Sequence, residues 1–426
     1  MKNTTHTTNS PANARTSRAQ RGAIAACTAL VLALGGAAPA LALTSSDSGT
    51  HHTVHASRGT LVSIVPVADH TRAEVAAFVK DAGADPGAVR YGVTAYRLTY
   101  RTVTAEGRPT TATGLLVLPK GGAHRLPVVS DTHGTMVGRD DAPSVAEDMD
   151  RLSPYVQAAA GRAVSAPDYL GLGKGPGLHP YMDTRSGVSA TLDMLRASRT
   201  AGHQLGRPFT GDVYVTGFSQ GGQLAMALGK ALTEGADRSF RLKAVAPIAG
   251  PYDLEGAELP GMFNGSINNT SAVFYMSYFL TAQNRLHPLF KDPAEVFRAP
   301  YDKVVTGLFD GLHTDVQVVT SLPPTITELF TDAYLKELKH PTGALRDMLR
   351  ANGKACDWKP AVPVQLYSAD GDTDVPIANA RSCVAQLAAH GVKVPVVNQG
   401  AVDHGGTAIA SVTGIARWFD QVAQRG

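Results

Sequence analysis

Along most of this 426-residue chain, short apolar and β-branched runs alternate with segments whose apolar residues recur at helical spacing. That is the pattern of a mostly parallel sheet covered by helices on both faces. Strands are expected at Gly92 to Thr104 and Thr111 to Leu118, on either side of the turn Glu106-Gly107-Arg108-Pro109, a hairpin that opens the sheet antiparallel. Buried strands follow at Pro127 to Ser130, Ala163 to Ala166, Val213 to Thr216 and Leu242 to Ile248. Helical patterns lie between them, at Thr184 to Thr200 and Gln220 to Thr233. From about Gly250 to Asp357 the alternation stops, and strands resume only at Val364 to Ser368 and Val394 to Val397. A stretch of roughly 100 residues is too long for a structureless loop, so a helical cap inserted before the last two strands is expected. Its most apolar part, Ala272 to Leu280, reads either as a packed cap helix or as the lining of an acyl-binding channel.

The N-terminus departs from this pattern. Residues 1–42 read as a secretory signal peptide: a basic n-region to Arg21, an apolar run from Ala23 to Ala38, and small-residue cleavage sites after Ala40 and Ala42. The apolar run is interrupted by Gly35 and Gly36 and is shorter than the ~20 residues that span a bilayer. The expected organisation is therefore a leader (1–42), a flexible segment (43–59), an α/β core (60–250 and 358–426) and a helical cap (251–357), the protein being secreted. With 43% hydrophobic and 18% charged residues the chain is globular, which excludes a disordered, collagen-like or coiled-coil protein. The net charge of +3 becomes −1 once the leader's Lys2, Arg15, Arg18 and Arg21 are set aside, so no nucleic-acid partner is expected. Cys27 leaves with the leader. In an oxidising compartment the remaining Cys356 and Cys383 are expected to form a disulfide, two buried free thiols being the alternative.

Gly217-Phe218-Ser219-Gln220-Gly221 is the chain's one G-x-S-x-G pentapeptide. Alone it is weak evidence, but it follows an apolar strand and opens a helical run, the strand–turn–helix setting in which a serine becomes a nucleophile. A serine hydroxyl needs a base to take its proton and an acid to orient that base. His404, in Gly400-Ala401-Val402-Asp403-His404-Gly405-Gly406, is expected in a loop between the last strand and the final helix and is the candidate base. The acid should follow the preceding strand, where Asp370, Asp372 and Asp374 compete. Asp372 is preferred and Asp374 is the alternative, the losers serving as turn former and as cap for the helix entered at Pro376. Oxyanion donors are expected from the backbone N–H of Gln220 and of Thr135, in Thr132-His133-Gly134-Thr135, with Gly134 in reserve.

These residues resemble the α/β-hydrolase superfamily, and within it the secretory lipases and the secreted bacterial esterases with a G-[FY]-S-Q-G-G elbow. The resemblance covers most of residues 90–422. It rests on His133 to Thr135 with Ala142-Pro143-Ser144, Asp168 to Gly173 with His179-Pro180-Tyr181, the GFSQGG elbow, Trp358 to Pro360, Asp372-Thr373-Asp374-Val375-Pro376 and Asp403 to Gly406. It implies a Ser-Asp-His carboxylic ester hydrolase with a cap between the sixth and seventh strands, working without metal or organic cofactor. In the family's D-x-x-V-P pattern the acid stands four residues before the proline, which favours Asp372. The implied partner is a small-molecule or lipid ester, with room for a transient contact with a lipid interface. A secreted peptidase or amidase of the same fold is the alternative, for which Glu295, Glu328 and Glu337 of the cap could hold a substrate amine. A binding protein that has lost its chemistry is a more distant one.

Three further signals are set aside. Gly171 to Gly177 lacks the spacing of a phosphate loop and reads as structural. His51-His52-Thr53-Val54-His55 has no carboxylate or cysteine partner and reads as an adventitious metal binder. Asn264-Gly265-Ser266 and Asn268-Asn269-Thr270 are glycosylation acceptors only in a host with that machinery.

Overall fold

A computed structural model describes residues 58–425. The expected leader, Cys27 and the histidine-rich segment lie outside the described residues. Among the described residues nine strands form one sheet: β1 (Leu61–His70), β2 (Val93–Val103), β3 (Pro109–Pro119), β4 (Leu126–Thr132), β5 (Ala163–Pro167), β6 (Phe209–Phe218), β7 (Arg241–Ile248), β8 (Leu366–Ser368) and β9 (Val396–Asn398). Their order is β1-β2-β3-β5-β4-β6-β7-β8-β9. The first three strands pair antiparallel, β3 meets β5 antiparallel, and every later pairing is parallel. The fold is therefore the expected α/β sheet with an antiparallel start.

Among the described residues thirteen α-helices accompany the sheet: α1 (Arg72–Asp81), α2 (Leu152–Ala159), α3 (Thr184–Gln204), α4 (Gln220–Thr233), α5 (Leu259–Asn264), α6 (Asn269–Leu286), α7 (Val305–Leu308), α8 (Asp315–Ser321), α9 (Ile326–Leu329), α10 (Asp332–Lys339), α11 (Gly343–Asn352), α12 (Ala378–Ala389) and α13 (His404–Arg425). The sheet separates two apolar layers because successive strand residues face opposite sides. Leu116, Leu118, Val128, Val213 and Val215 pack with α3, α4 and α12 on one face. Leu115, Val117, Val129 and Tyr214 pack with α1, α2 and α13 on the other. Each such side chain, once fully buried, stabilises the fold by about 2 kcal/mol. Burial on both faces is also why these strands read as near-continuous apolar runs.

β1 and α1 were not among the expected elements. β1 is an edge strand that carries Pro66 at a register shift and exposes Val62 and Val65, so its apolar residues do not alternate cleanly. For α1 a signal existed: Thr71 and Glu74 form a reciprocal capping box. The extra strand moves the helical insertion, residues 249–365, to between the seventh and eighth strands rather than the sixth and seventh.

The insertion opens on a π-helical turn, Leu254–Glu258, and holds α5 to α11 around its own apolar cluster. A stack of rings fastens it to the core, with Tyr181 and Tyr278 4.2 Å apart and Tyr278 and Phe309 4.5 Å apart. Asp168 ties the resemblance's separate motifs together, accepting from Ser144 N at 3.0 Å, from Ser144 Oγ at 2.5 Å and from Thr113 Oγ1 at 2.6 Å. Gly171 supports the structural reading of its loop: its φ is 76°, and a Cβ there would lie 2.3 Å from the backbone of Leu178.

Cys356 and Cys383 are disulfide-bonded, joining the end of the insertion to α12 inside the core. In the chain-entropy model, closing that loop stabilises the fold by about 3.5 kcal/mol. Replacing both cysteines with alanine is expected to cost about that much, read as a lower urea midpoint, and a non-reducing digest should yield the two peptides linked.

Candidate active site

Ser219 stands between β6 and α4 at φ 56°, ψ −121°, a left-handed conformation that a non-glycine residue adopts only under constraint. Close backbone packing supplies the constraint. A Cβ at Gly217 would lie 2.0 Å from Thr132 Oγ1, and one at Gly221 would lie 2.0 Å from Thr132 O, so both positions must be glycine. Ser219 N donates to Ile248 O at 2.9 Å, pinning the turn to the end of β7. The turn leaves the serine at the N-terminus of a 14-residue helix, where the macrodipole favours developing negative charge.

The loop after β8 sorts its three aspartates. Asp372 Oδ1 accepts from the N–H of Asp374 and of Val375, both at 2.9 Å, and this grip turns Oδ2 to His404 Nδ1 at 2.7 Å. The Nδ1–H donates there, which leaves Nε2 as the acceptor, and Nε2 has no partner among the described residues. Phe218, the residue before Ser219, packs its ring 4.5 Å from the His404 imidazole, so the histidine stands beside the elbow. His404 is the first residue of α13 rather than a loop residue, because Asp403 caps the helix by accepting from Gly406 N at 2.7 Å.

Asp374 has a different task from either of those expected of it. Its carboxylate accepts from Asn268 Nδ2 at 2.7 Å, Ser271 Oγ at 2.8 Å and Tyr275 Oη at 3.1 Å, which fastens the N-terminus of α6 to the acid loop. It neither meets His404 nor caps the helix after Pro376, which has no side-chain cap. Asp370 is the surface member, accepting from Asn398 Nδ2 at 2.7 Å.

The candidate oxyanion loop passes over the elbow: a Cβ on Gly134 would lie 3.6 Å from Ser219 Cβ. Thr135 Oγ1 is held 2.9 Å from Tyr181 Oη. The backbone N–H groups of Thr135 and Gln220 find no acceptor among the described residues. His179, quoted above only as part of a motif, orients the Gln220 side chain. Its Nδ1–H donates to Leu170 O at 3.0 Å, so Nε2 accepts from Gln220 Nε2 at 3.0 Å. Burial pushes the His179 and His133 pKa values down to about 4, so both rings are neutral at physiological pH.

A cavity of about 50 Å³ opens on Ser219, lined by Gln220, Tyr181, Met182, Leu254, Met262, Met276, Phe279 and Val375, with Glu258 as its only ionisable carboxyl. α6 both packs and lines the cavity: Tyr275, Met276 and Phe279 face it while Tyr278 and Leu280 pack in the insertion's core. Glu295, Glu328 and Glu337 lie elsewhere, each holding a local backbone N–H or hydroxyl at 2.7 to 3.1 Å.

No family model and no curated protein sequence matches the chain. Solved structures do. A Legionella pneumophila protein assigned to the hydrolases is 25% identical and superposes with a TM-score of 0.79 over 85% of this chain and 98% of its own. The rice cell wall degrading esterase LipA from Xanthomonas oryzae is 28% identical, with a TM-score of 0.73 over 86% of this chain and 99% of its own. The chain belongs to the α/β-hydrolase superfamily. Candida antarctica lipase A shares the fold of this hydrolase at 16% identity, with a TM-score of 0.60 over 83% of this chain and 79% of its own.

The residue of this hydrolase's cavity that sequence reasoning missed is Glu258. It closes the π-helical turn, which Asp253 caps by accepting from Gly256 N at 2.7 Å. Burial, reinforced by the like charges of Asp372, Asp374 and Asp253, pushes its pKa up to about 8. Burial likewise raises Asp150 to about 7 and Asp131 to about 6. Each acid holds its proton in the folded state over a pH range in which the unfolded chain has released it. The folded state therefore binds more protons, and stability falls as pH rises from the ordinary values of 3.8 and 4.5 toward about 8. Denaturation midpoints should decline across that window, and Glu258→Gln should flatten its upper end.

Proposed function

We propose that this α/β-hydrolase is a secreted serine esterase acting on carboxylic esters with short acyl groups. The observation that carries the reading is the Asp372–His404 hydrogen bond, which leaves Nε2 without a partner on a histidine packed against Phe218, the residue before a strained Ser219 that lines an apolar cavity. In the first half-reaction the Ser219 Oγ–H proton passes to His404 Nε2 as Oγ bonds to the ester carbonyl carbon. Asp372 steadies the imidazolium. The oxyanion rests on the N–H groups of Gln220 and Thr135, each contributing roughly 3 to 4 kcal/mol to transition-state stability. His404 then gives the proton to the leaving alkoxide as the C–O bond breaks. Water repeats the attack on the acyl-enzyme and releases the acid.

The similarity to an esterase at 28% identity supports ester chemistry. The cavity supports a short acyl group, since it has about a third of the volume of the ~150 Å³ cavity that admits benzene. The peptidase alternative loses support because Glu295, Glu328 and Glu337 do not line the cavity. Secretion is supported by the leader-like sequence of residues 1–42 and by the Cys356–Cys383 disulfide.

Hydrolysis of p-nitrophenyl esters of increasing chain length should depend on Ser219 and peak at short chains, with anilides turned over far more slowly. Substantial turnover by Ser219→Ala would overturn the assignment. Asp372→Asn should lower kcat by about 10⁴-fold, whereas Asp374→Asn should stay within about tenfold of wild type. Exported protein should begin at Leu43 or Leu41.

A further inference from the structure

Glu258 is an unusual group to find in the cavity that opens on Ser219. Its surroundings there are mostly methionine, leucine, phenylalanine and tyrosine side chains, with Ser219 and Gln220 as the polar members of the lining, and no cation stands among the groups that influence its charge. A carboxyl so placed persists only if each of its oxygens has something to do. One oxygen is accounted for. Asn379 Oδ1 accepts from Asp253 N at 3.2 Å, which fixes the orientation of the Asn379 amide, and its Nδ2 therefore donates to Glu258 Oε1 and to Pro376 O. Oε1 is thereby the acceptor, the carbonyl oxygen of a neutral acid. The hydroxyl falls to Oε2, which has no hydrogen-bond partner among the described residues. A neutral carboxyl presents one donor to the cavity, in the compartment where the acyl group of an ester bound at Ser219 would lie.

We infer that Glu258 selects acyl groups that carry a hydroxyl or keto oxygen along the chain, by donating a hydrogen bond from its carboxyl to that oxygen beside Ser219. The inference rests on the acyl-ester reading. A plain alkyl chain offers the Glu258 hydroxyl no acceptor of its own, and a site built around a buried polar group discriminates against the analogue that leaves it unpaired. An ammonium fits less well, since it brings three N–H donors to a cavity with one free carboxyl oxygen, and its desolvation would have to be offset there. Asp372 and Asp374 give it no further help, because the first is engaged by His404 and the second by Asn268, Ser271 and Tyr275.

The test compares methyl esters of matched length: butyrate with β-hydroxybutyrate, acetoacetate and β-aminobutyrate, and pentanoate with levulinate. Each is assayed on wild type, Glu258→Gln and Glu258→Leu. Taking kcat/KM as an oxygenated-to-plain ratio and comparing it between proteins cancels the intrinsic reactivity of each ester. The ratio should fall about tenfold or more in Glu258→Leu, while Glu258→Gln, whose amide can accept from Asn379 and still donate, should stay within about threefold of wild type. An unchanged ratio in a folded, Ser219-dependent Glu258→Leu enzyme would overturn the inference, as would a wild-type preference for the amino ester. If no ester is hydrolysed at all, the failure belongs to the esterase reading. The cavity is then judged by calorimetric binding of acetoacetamide and butyramide to Ser219→Ala: tighter acetoacetamide upholds the role of Glu258, and equal affinity overturns it.

Discussion

The elbow depends on a close approach of Thr132, through its hydroxyl and its carbonyl oxygen, that leaves no room for a Cβ two residues to either side of the serine. Thr132 at the end of β4 lies against Gly217 and Gly221 so closely that neither position can carry a Cβ, and this contact holds Ser219 at positive φ. Strain of that kind persists only when the surroundings over-determine it. Here they include the parallel pairing of β4 with β6, the bond from Ser219 N to β7, and a buried helix running directly away from the turn. The residues around the serine follow from this geometry: the loop after β4 supplies the candidate oxyanion donor, and the chain following β8 and β9 brings Asp372 and His404 together.

The loop after β8 shows how three identical side chains within five residues come to differ. Asp372 is gripped by two backbone N–H groups and turned to the imidazole, Asp374 is drawn into the start of α6, and Asp370 stays at the surface. The acid loop is therefore also the anchor of the insertion. Through α6 it governs the wall of the cavity, since Tyr275 is bonded to Asp374 while Met276 and Phe279 line the space in front of Ser219. Asn379, the second residue of α12, acts on the same cavity by holding both the π-helical turn and the Glu258 carboxyl. The partner of His404, the anchor of α6 and the partner of the Glu258 carboxyl thus share one short segment, residues 372 to 379.

Much of this was legible because it is written locally. A strand buried on both faces needs an apolar run whatever its neighbours are, and a strand–turn–helix with glycines on each side of a serine is complete within about ten residues. β1 escaped notice because an edge strand with a proline at a bulge need not alternate. α1 could have been found from Thr71 and Glu74. The preference for Asp372 over Asp374 came from the register of a motif, and the partners that separate them, His404 on one side and Asn268, Ser271 and Tyr275 on the other, lie 32 and 99 to 106 residues away.

The amino-acid sequence by itself determined the α/β sheet, the position of the candidate nucleophile and the pair of cysteines, because periodicity, turn chemistry and cysteine count act over short range or need no geometry at all. Only the tertiary structure decided which aspartate faces the histidine, what fastens the insertion to the core, and that Glu258 is a buried neutral acid rather than a solvated surface charge. Each of those properties is set by desolvation and hydrogen-bond partners from distant parts of the chain, and a residue's type carries no record of either.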